Sequence, residues 1–276
     1  MQSENSKKFP LVSVIIPAWN RAHMIKIALN SVFSQNYPNI EVIVVDDGST
    51  DAIREALSPY PDVFFFLLSK HTGQCSTRNF GLNEAHGKYI QLLDSDDALS
   101  PGVIKRHVEF LEANPLIDFV YGDLVHSNTF ILEHPEVKLK PTFKPDVRKG
   151  MLIDFDIKKV LIQNLKRPYD PKNSILTLFV PTKDYFRIST GTGLLRKNNI
   201  RYDPFIEQKW NCSADVDFWG QLIMAGCKFA YLPGNALECR EHSDNITNRA
   251  GLHTQKRIGV RRYIYNKLKL QASNGE

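Results

Sequence analysis

Ile40-Glu-Val-Ile-Val-Val-Asp-Asp-Gly-Ser-Thr-Asp51 joins an apolar, β-branched run to a turn crowded with carboxylates. A run this continuously apolar predicts a strand covered on both faces, and Asp-Gly-Ser-Thr predicts a strand-to-helix corner, with Ser49 or Thr50 as cap. The pattern recurs on either side of it. Val12-Ser-Val-Ile-Ile16 leads into Pro17-Ala-Trp-Asn20, Val63-Phe-Phe-Phe-Leu-Leu68 into Lys70-His-Thr-Gly73, and Lys88-Tyr-Ile-Gln-Leu-Leu93 into Asp94-Ser-Asp-Asp97. Ile25, Leu29, Val32 and Phe33 recur at helical spacing, which predicts a helix from about Ala22, and a second helix is expected from about Gln74 to Ala85. The fold class that follows is α/β: a Rossmann-like, mostly parallel sheet flanked by helices. In such a sheet all four polar segments emerge on one edge, where open α/β sheets take their ligands.

Further along, a helix is expected from Pro101 to Ala113, then a strand from Asp118 to Val125. Between about His126 and Lys183 no period is clear and prolines and lysines are frequent, which marks an insertion. Order returns with Gly191-Thr-Gly-Leu-Leu-Arg196, a helix from Ala214 to Ala225 and a strand from Lys228 to Leu232. This organises the chain as 1–125, 126–252 with its insertion, and a terminal segment 253–276, all within one domain overall.

The 276 residues hold 35 Lys and Arg against 30 Asp and Glu, and six of the cations, Lys256, Arg257, Arg261, Arg262, Lys267 and Lys269, fall in one terminal stretch. The remainder is close to neutral, which excludes a nucleic-acid surface spread over the fold. The stretch suits a basic terminal helix packed on the body with its cations in water, or peripheral contact with an anionic membrane. The four cysteines show no metal-ligand spacing and read as reduced thiols. With a polar start and no apolar run long enough to cross a bilayer, a cytoplasmic protein is expected, with the inner membrane face as an alternative location.

Asp94, Asp96 and Asp97 place three carboxylates within four residues, and they repel one another unless a cation is shared. Hard oxygen donors on a short loop suit Mg²⁺ or Mn²⁺; the competing reading is a solvated acidic turn before the next helix. Asp46 and Asp47 are either ordinary turn residues or a carboxylate for a base N–H.

Together, Val12-Ser-Val-Ile-Ile-Pro-Ala-Trp-Asn20, Ser31-Val with Gln35 and Tyr37, Val44-Val-Asp-Asp-Gly-Ser-Thr-Asp51, Thr77-Arg-Asn-Phe-Gly81 and Leu93-Asp-Ser-Asp-Asp97 resemble the family 2 glycosyltransferases in order and spacing, over roughly residues 10 to 125. The resemblance implies a GT-A fold, an inverting mechanism, a divalent metal and a nucleoside-diphosphate-sugar donor, UDP or dTDP favoured. Carried over, it implies that Pro17, Ala18, Trp19 and Asn20 cradle the nucleoside and Asp46 holds the base. Arg78 would lie near the base or diphosphate, Asp94 at the ribose or sugar, and Asp96 on the metal. It further implies a base in a Glu-Asp pair opening a late helix. Here Ser213-Ala-Asp-Val-Asp-Phe-Trp219 has Ala214 in place of the Glu and keeps Asp215.

Asp215, Trp219, Leu222 and Gly226 share a helix stripe, so Asp215 belongs to a packed face that can border a cleft, and Asp217 turns elsewhere; Ser213 is the expected cap. Arg240-Glu-His242 resembles the late segment in which a His completes metal or diphosphate contacts, so His242 is a second metal candidate. Gly191-Thr-Gly193, Trp210 and Trp219 are candidates for the acceptor side, core packing being the competing role for Trp219. The acceptor would be a saccharide or a lipid-linked one. Two alternatives remain: a nucleotide-sugar-binding protein without catalysis, suggested by Ala214, and a metal-dependent nucleotidyltransferase, which Pro17-Ala-Trp-Asn-Arg21 disfavours by lacking a Gly-rich phosphate loop.

Overall fold

The computed structural model describes residues 9–127, 157–166, 188–210, 213–240 and 254–274. Strands β1 (Val12–Ala18), β2 (Ile40–Asp46), β3 (Val63–Leu67) and β4 (Tyr89–Leu92) alternate with helices α1 (Ile25–Phe33), α2 (Ile53–Leu57) and α3 (Gln74–Glu84). There follow β5 (Ala98–Leu99), α4 (Val103–Ala113), β6 (Phe119–Ser127), α5 (Ile157–Leu165), β7 (Gly193–Arg196), α6 (Pro204–Trp210), α7 (Ala214–Met224), β8 (Phe229–Arg240) and α8 (Thr254–Ser273).

The eight strands among the described residues form one sheet in the order β3-β2-β1-β4-β7-β6-β8-β5. The first half is parallel, β1 pairing in register with β2 and β4, and β2 with β3. The second half is mixed: β7 lies antiparallel between β4 and β6, β8 runs parallel to β6, and β5 antiparallel to β8. The sheet is thus mostly parallel, as the sequence predicts, and the antiparallel pairing is confined to β7 and β5.

Strand periodicity decides which side each residue serves. Ile15, Ile43 and Val45 face a core closed by α3, α5, α6, α7 and α8; Val12, Val14, Ile16, Val42 and Val44 face another closed by α1, α2 and α4. Each fully buried Ile or Val contributes roughly 1.5–3 kcal/mol of apolar transfer, which is why these runs are apolar on both faces.

Strand β8 extends well beyond the expected Leu232. Pro233-Gly234 looks like a terminator, yet the β6–β8 register merely shifts there and pairing resumes to Ser127 and Arg240. Gly234 holds φ 126, and the Arg106 guanidinium donates to the Asn235 and Gly234 carbonyl oxygens at 2.8 and 3.3 Å. A bulge satisfied in this way tolerates the proline.

The terminal segment is helical. Val260, Ile264, Tyr265 and Leu268 form its buried stripe, while Arg262 and Lys269 are exposed. No helix among the described residues is long and apolar enough to cross a membrane.

Candidate active site

A cleft of about 380 Å³ opens at the carboxyl ends of β1, β2 and β4. Pro17, Ala18 and Trp19 form one wall, Asp47 and His71 an adjoining one, and the first turn of α3 the floor around Arg78. Asp94, Asp96 and Asp97 line it from the β4 end, and Asp215 from the start of α7.

The acidic loop is the chemical centre. One oxygen from each of Asp94, Asp96 and Asp97 lies within 4.8 Å of the others, close enough to share one cation. Arg78 Nη2 donates to Asp94 Oδ1 at 2.5 Å, and its buried Nε has no partner among the described residues. Arg21 approaches Asp96 at 3.8 Å. Asp97 accepts from the Arg240 N–H at 3.1 Å, and burial, together with the charges of Asp96 and Asp94, holds its carboxyl well above the ordinary aspartate range. With Asp215 also lining the cleft, carboxylates outnumber Arg21 and Arg78 even without Asp47 and Glu207, which backbone N–H groups already engage. Such a surplus of hard oxygen donors fits Mg²⁺ or Mn²⁺.

Asp215 stands in the first turn of α7. Burial pushes its carboxyl above the ordinary aspartate value, opposed by the Val216 N–H and the Arg78 charge. A carboxylate raised in this way is a better proton acceptor. Ser213 occupies the position before the helix, as expected, but at φ 62 and with no side-chain capping bond, so its expected capping role is not realised.

A sequence model described as glycosyl transferase family 2 matches residues 13–197, well over half the chain. The chain belongs to glycosyl transferase family 2. An uncharacterized glycosyltransferase of Haemophilus influenzae is 34% identical over 139 residues, covering 49% of this chain and 54% of that protein. A putative teichuronic acid biosynthesis glycosyltransferase, TuaG of Bacillus subtilis, is 37% identical over 106 residues, covering 37% of this chain and 42% of that protein. The matches thus span about half the length of these relatives. Among solved structures, TarS 1-349 of S. aureus in complex with UDP-GlcNAc aligns with a TM-score of 0.65 at 19% identity, covering 92% of this chain and 65% of that one. The likeness is one of fold, the GT-A type.

Set on this family 2 scaffold, the residues singled out in the sequence fall into two groups. Pro17, Ala18, Trp19, Arg78, Asp94, Asp96 and Asp215 share the cleft. Asp46 and Asn20 are not among its lining. Asp46 ends β2, buried, and its Oδ1 accepts from the Ser49 N–H at 3.0 Å; the Asn20 side-chain oxygen accepts from the Thr50 N–H at 2.8 Å. Asp46 braces the turn after β2, and Asn20 ties the first loop to that turn. Metal candidate His242 lies outside the described residues.

Asp217 turns inward: its Oδ2 accepts from Gln221 Nε2 at 2.7 Å and from Lys267 Nζ at 2.8 Å. Trp219 packs on Phe119 with ring centroids 4.8 Å apart and is core.

Of the lining residues, Asp47 was weighed beside Asp46 and passed over, and His71 and Glu207 were not singled out in the sequence. Asp47 follows β2 at the point where its paired register with β1 ends, a position legible in the sequence. His71 sits in the loop after β3. Glu207 comes from α6 to accept the Gln74 and Cys75 N–H groups, each at 2.6 Å, at the start of α3. No local pattern announces a partner so distant in sequence.

Proposed function

We propose that this family 2 chain is an inverting glycosyltransferase that moves a sugar from UDP or dTDP to a hydroxyl of a saccharide or lipid-linked acceptor. The observation that carries the reading is one cleft holding both the Asp94/Asp96/Asp97 cluster and, from another element, the raised carboxyl of Asp215. The printed descriptions of TuaG, in teichuronic acid biosynthesis, and of TarS, bound to UDP-GlcNAc, support a polysaccharide setting and a UDP-sugar donor.

In this mechanism Asp215 accepts the proton of the acceptor hydroxyl as its oxygen attacks the anomeric carbon. The bond from that carbon to the diphosphate breaks on the opposite face, and the diphosphate leaves with the electron pair, so configuration inverts. Arg78, fixed by Asp94 and lying 5.2 Å over the Tyr202 ring, orients the donor. Asp96, with Asp94 and Asp97, would hold Mn²⁺ or Mg²⁺, which when bound offsets negative charge on the leaving diphosphate. The exposed cations of α8 offer peripheral contact with an anionic cytoplasmic membrane face, the setting of a lipid-linked acceptor.

Release of UDP or dTDP from the corresponding sugar donors, with water as the test acceptor, checks the reading. Asp215→Asn is expected to lower turnover by roughly 10²–10⁴ while a metal-dependent thermal shift with UDP persists. Asp96→Ala is expected to abolish that shift. Wild type that binds nucleotide and turns over no donor would leave only a binding protein.

A further inference from the structure

Asp47 is saturated. Its Oδ1 accepts from the Thr72 N–H at 2.7 Å and the Thr72 hydroxyl at 2.8 Å, and its Oδ2 from the Gly73 N–H and His71 Nδ1, both at 2.8 Å. A carboxylate offers about four lone-pair sites, so this one, its side chain 3% exposed, has none left for a ligand.

The consequence falls on His71. In the tautomer whose Nδ1 proton is directed at Asp47, the ring presents Nε2 as a hydrogen-bond acceptor. Among the described residues nothing donates to that nitrogen. The side chain is 51% exposed on the cleft wall, and its ring stacks on Trp19 with centroids 4.1 Å apart and planes at 22°. Trp19 is itself 47% exposed. A flat apolar surface and, on the ring stacked against it, an in-plane acceptor therefore share one wall of the cleft, which suits a planar heterocycle with an N–H on its edge.

We propose that His71 determines base specificity in this cleft, its Nε2 accepting the N3–H of a uracil or thymine whose ring lies along Trp19. The inference rests on the reading of the cleft as a nucleoside-diphosphate-sugar site and adds which group reads the base. Cytosine carries a lone pair at N3, so it would set acceptor against acceptor, and adenine does the same at N1; guanine, with its N1–H, meets the acceptor as uracil and thymine do, so what His71 rejects is cytosine and adenine. Asp47 acts as a positioning residue: it fixes which ring nitrogen carries the proton.

Calorimetric titration with UDP, dTDP and CDP in the presence of Mn²⁺ tests this. Wild type is expected to prefer UDP over CDP by about tenfold or more. His71→Phe keeps a flat ring against Trp19 and removes the acceptor. Its preference is expected to collapse to within about threefold, through weaker UDP binding, with CDP affinity retained. In Asp47→Ala no acceptor holds the Nδ1 proton, so the ring proton is free to move to Nε2 and the preference for UDP is expected to weaken. A UDP preference that survives in both variants overturns the role of His71 and leaves the donor site standing. Wild type that binds no nucleotide overturns the donor site and this inference with it.

Discussion

His107 lies midway along α4, fully buried, and neither of its ring nitrogens has a partner among the described residues. Burial, with the Arg106 charge beside it, pushes its pKa down to about 3. The folded chain therefore keeps this ring neutral where the unfolded chain protonates it, below about pH 6.5. Its contribution to stability is whole above that pH and declines as pH falls from there towards 3, by at most about 1.4 kcal/mol per unit. Urea unfolding of His107→Leu at pH 7.5 and pH 5 is expected to show a smaller loss than wild type across the same interval; identical losses would place the pH sensitivity elsewhere. The carboxylates of the acidic loop were legible as residues because three such charges after an apolar strand have few other uses. Asp46 and Asp47 were both candidates, and the choice of Asp46 turned on register, since at the end of a strand one residue changes the face on which a side chain stands.

Helices α7 and α8 meet through Lys267, whose ammonium donates to Asp217 at 2.8 Å and to Asp203 at 2.9 Å. Asp217 is wholly buried, and its Oδ1 has no partner among the described residues. Removing the cation strands a carboxylate in the interior, so Lys267→Met is expected to cost about 3 kcal/mol in denaturant unfolding. This is the low end for a buried pair, since Lys267 keeps a fifth of its side chain in water. Asp217→Leu with Lys267→Met should recover most of the loss; an unchanged midpoint for Lys267→Met alone would show that the pair contributes nothing. Elements with a long apolar period, such as α1 and α7, could be read directly. Helix α6 could not: seven residues beginning at Pro204 span barely two turns. The full length of β8 was hidden by Pro233-Gly234, whose bulge is stabilised by Arg106 from another element.

At the scale of the molecule, charge and shape are both uneven. Lys and Arg exceed Asp and Glu by five, and the excess lies in α8, whose apolar stripe is already packed against the body. Membrane contact there would be electrostatic, about 1 kcal/mol per cation near an anionic surface, with no inserted face. Vesicles rich in anionic lipid are expected to bind the wild type at low salt and release it at high salt. Binding by Arg261→Glu/Arg262→Glu that matches wild type would remove the proposed peripheral contact. Strand order was only half legible, because sequential βαβ units announce their neighbours and β7 does not. It inserts between β4 and β6 from about a hundred residues beyond the one and seventy beyond the other.

The Glu207 carboxylate on the first turn of α3 has a consequence for anyone building hybrids of this enzyme class. Gly73 supplies no side chain to that helix end, and among the described residues none closer in sequence caps it. Asn79, one turn past Cys75, exchanges two more hydrogen bonds with the Tyr202 backbone, and β4 has β7 for its second neighbour. The nucleotide-binding portion is therefore not a portable cassette. A chimera joined near residue 125 to a foreign second half would inherit a frayed helix beneath Arg78 and a bare sheet edge, unless the transplant also brought equivalents of β7, Tyr202 and Glu207. Recombination sites that keep residues 193–207 with the first half are the ones this architecture permits.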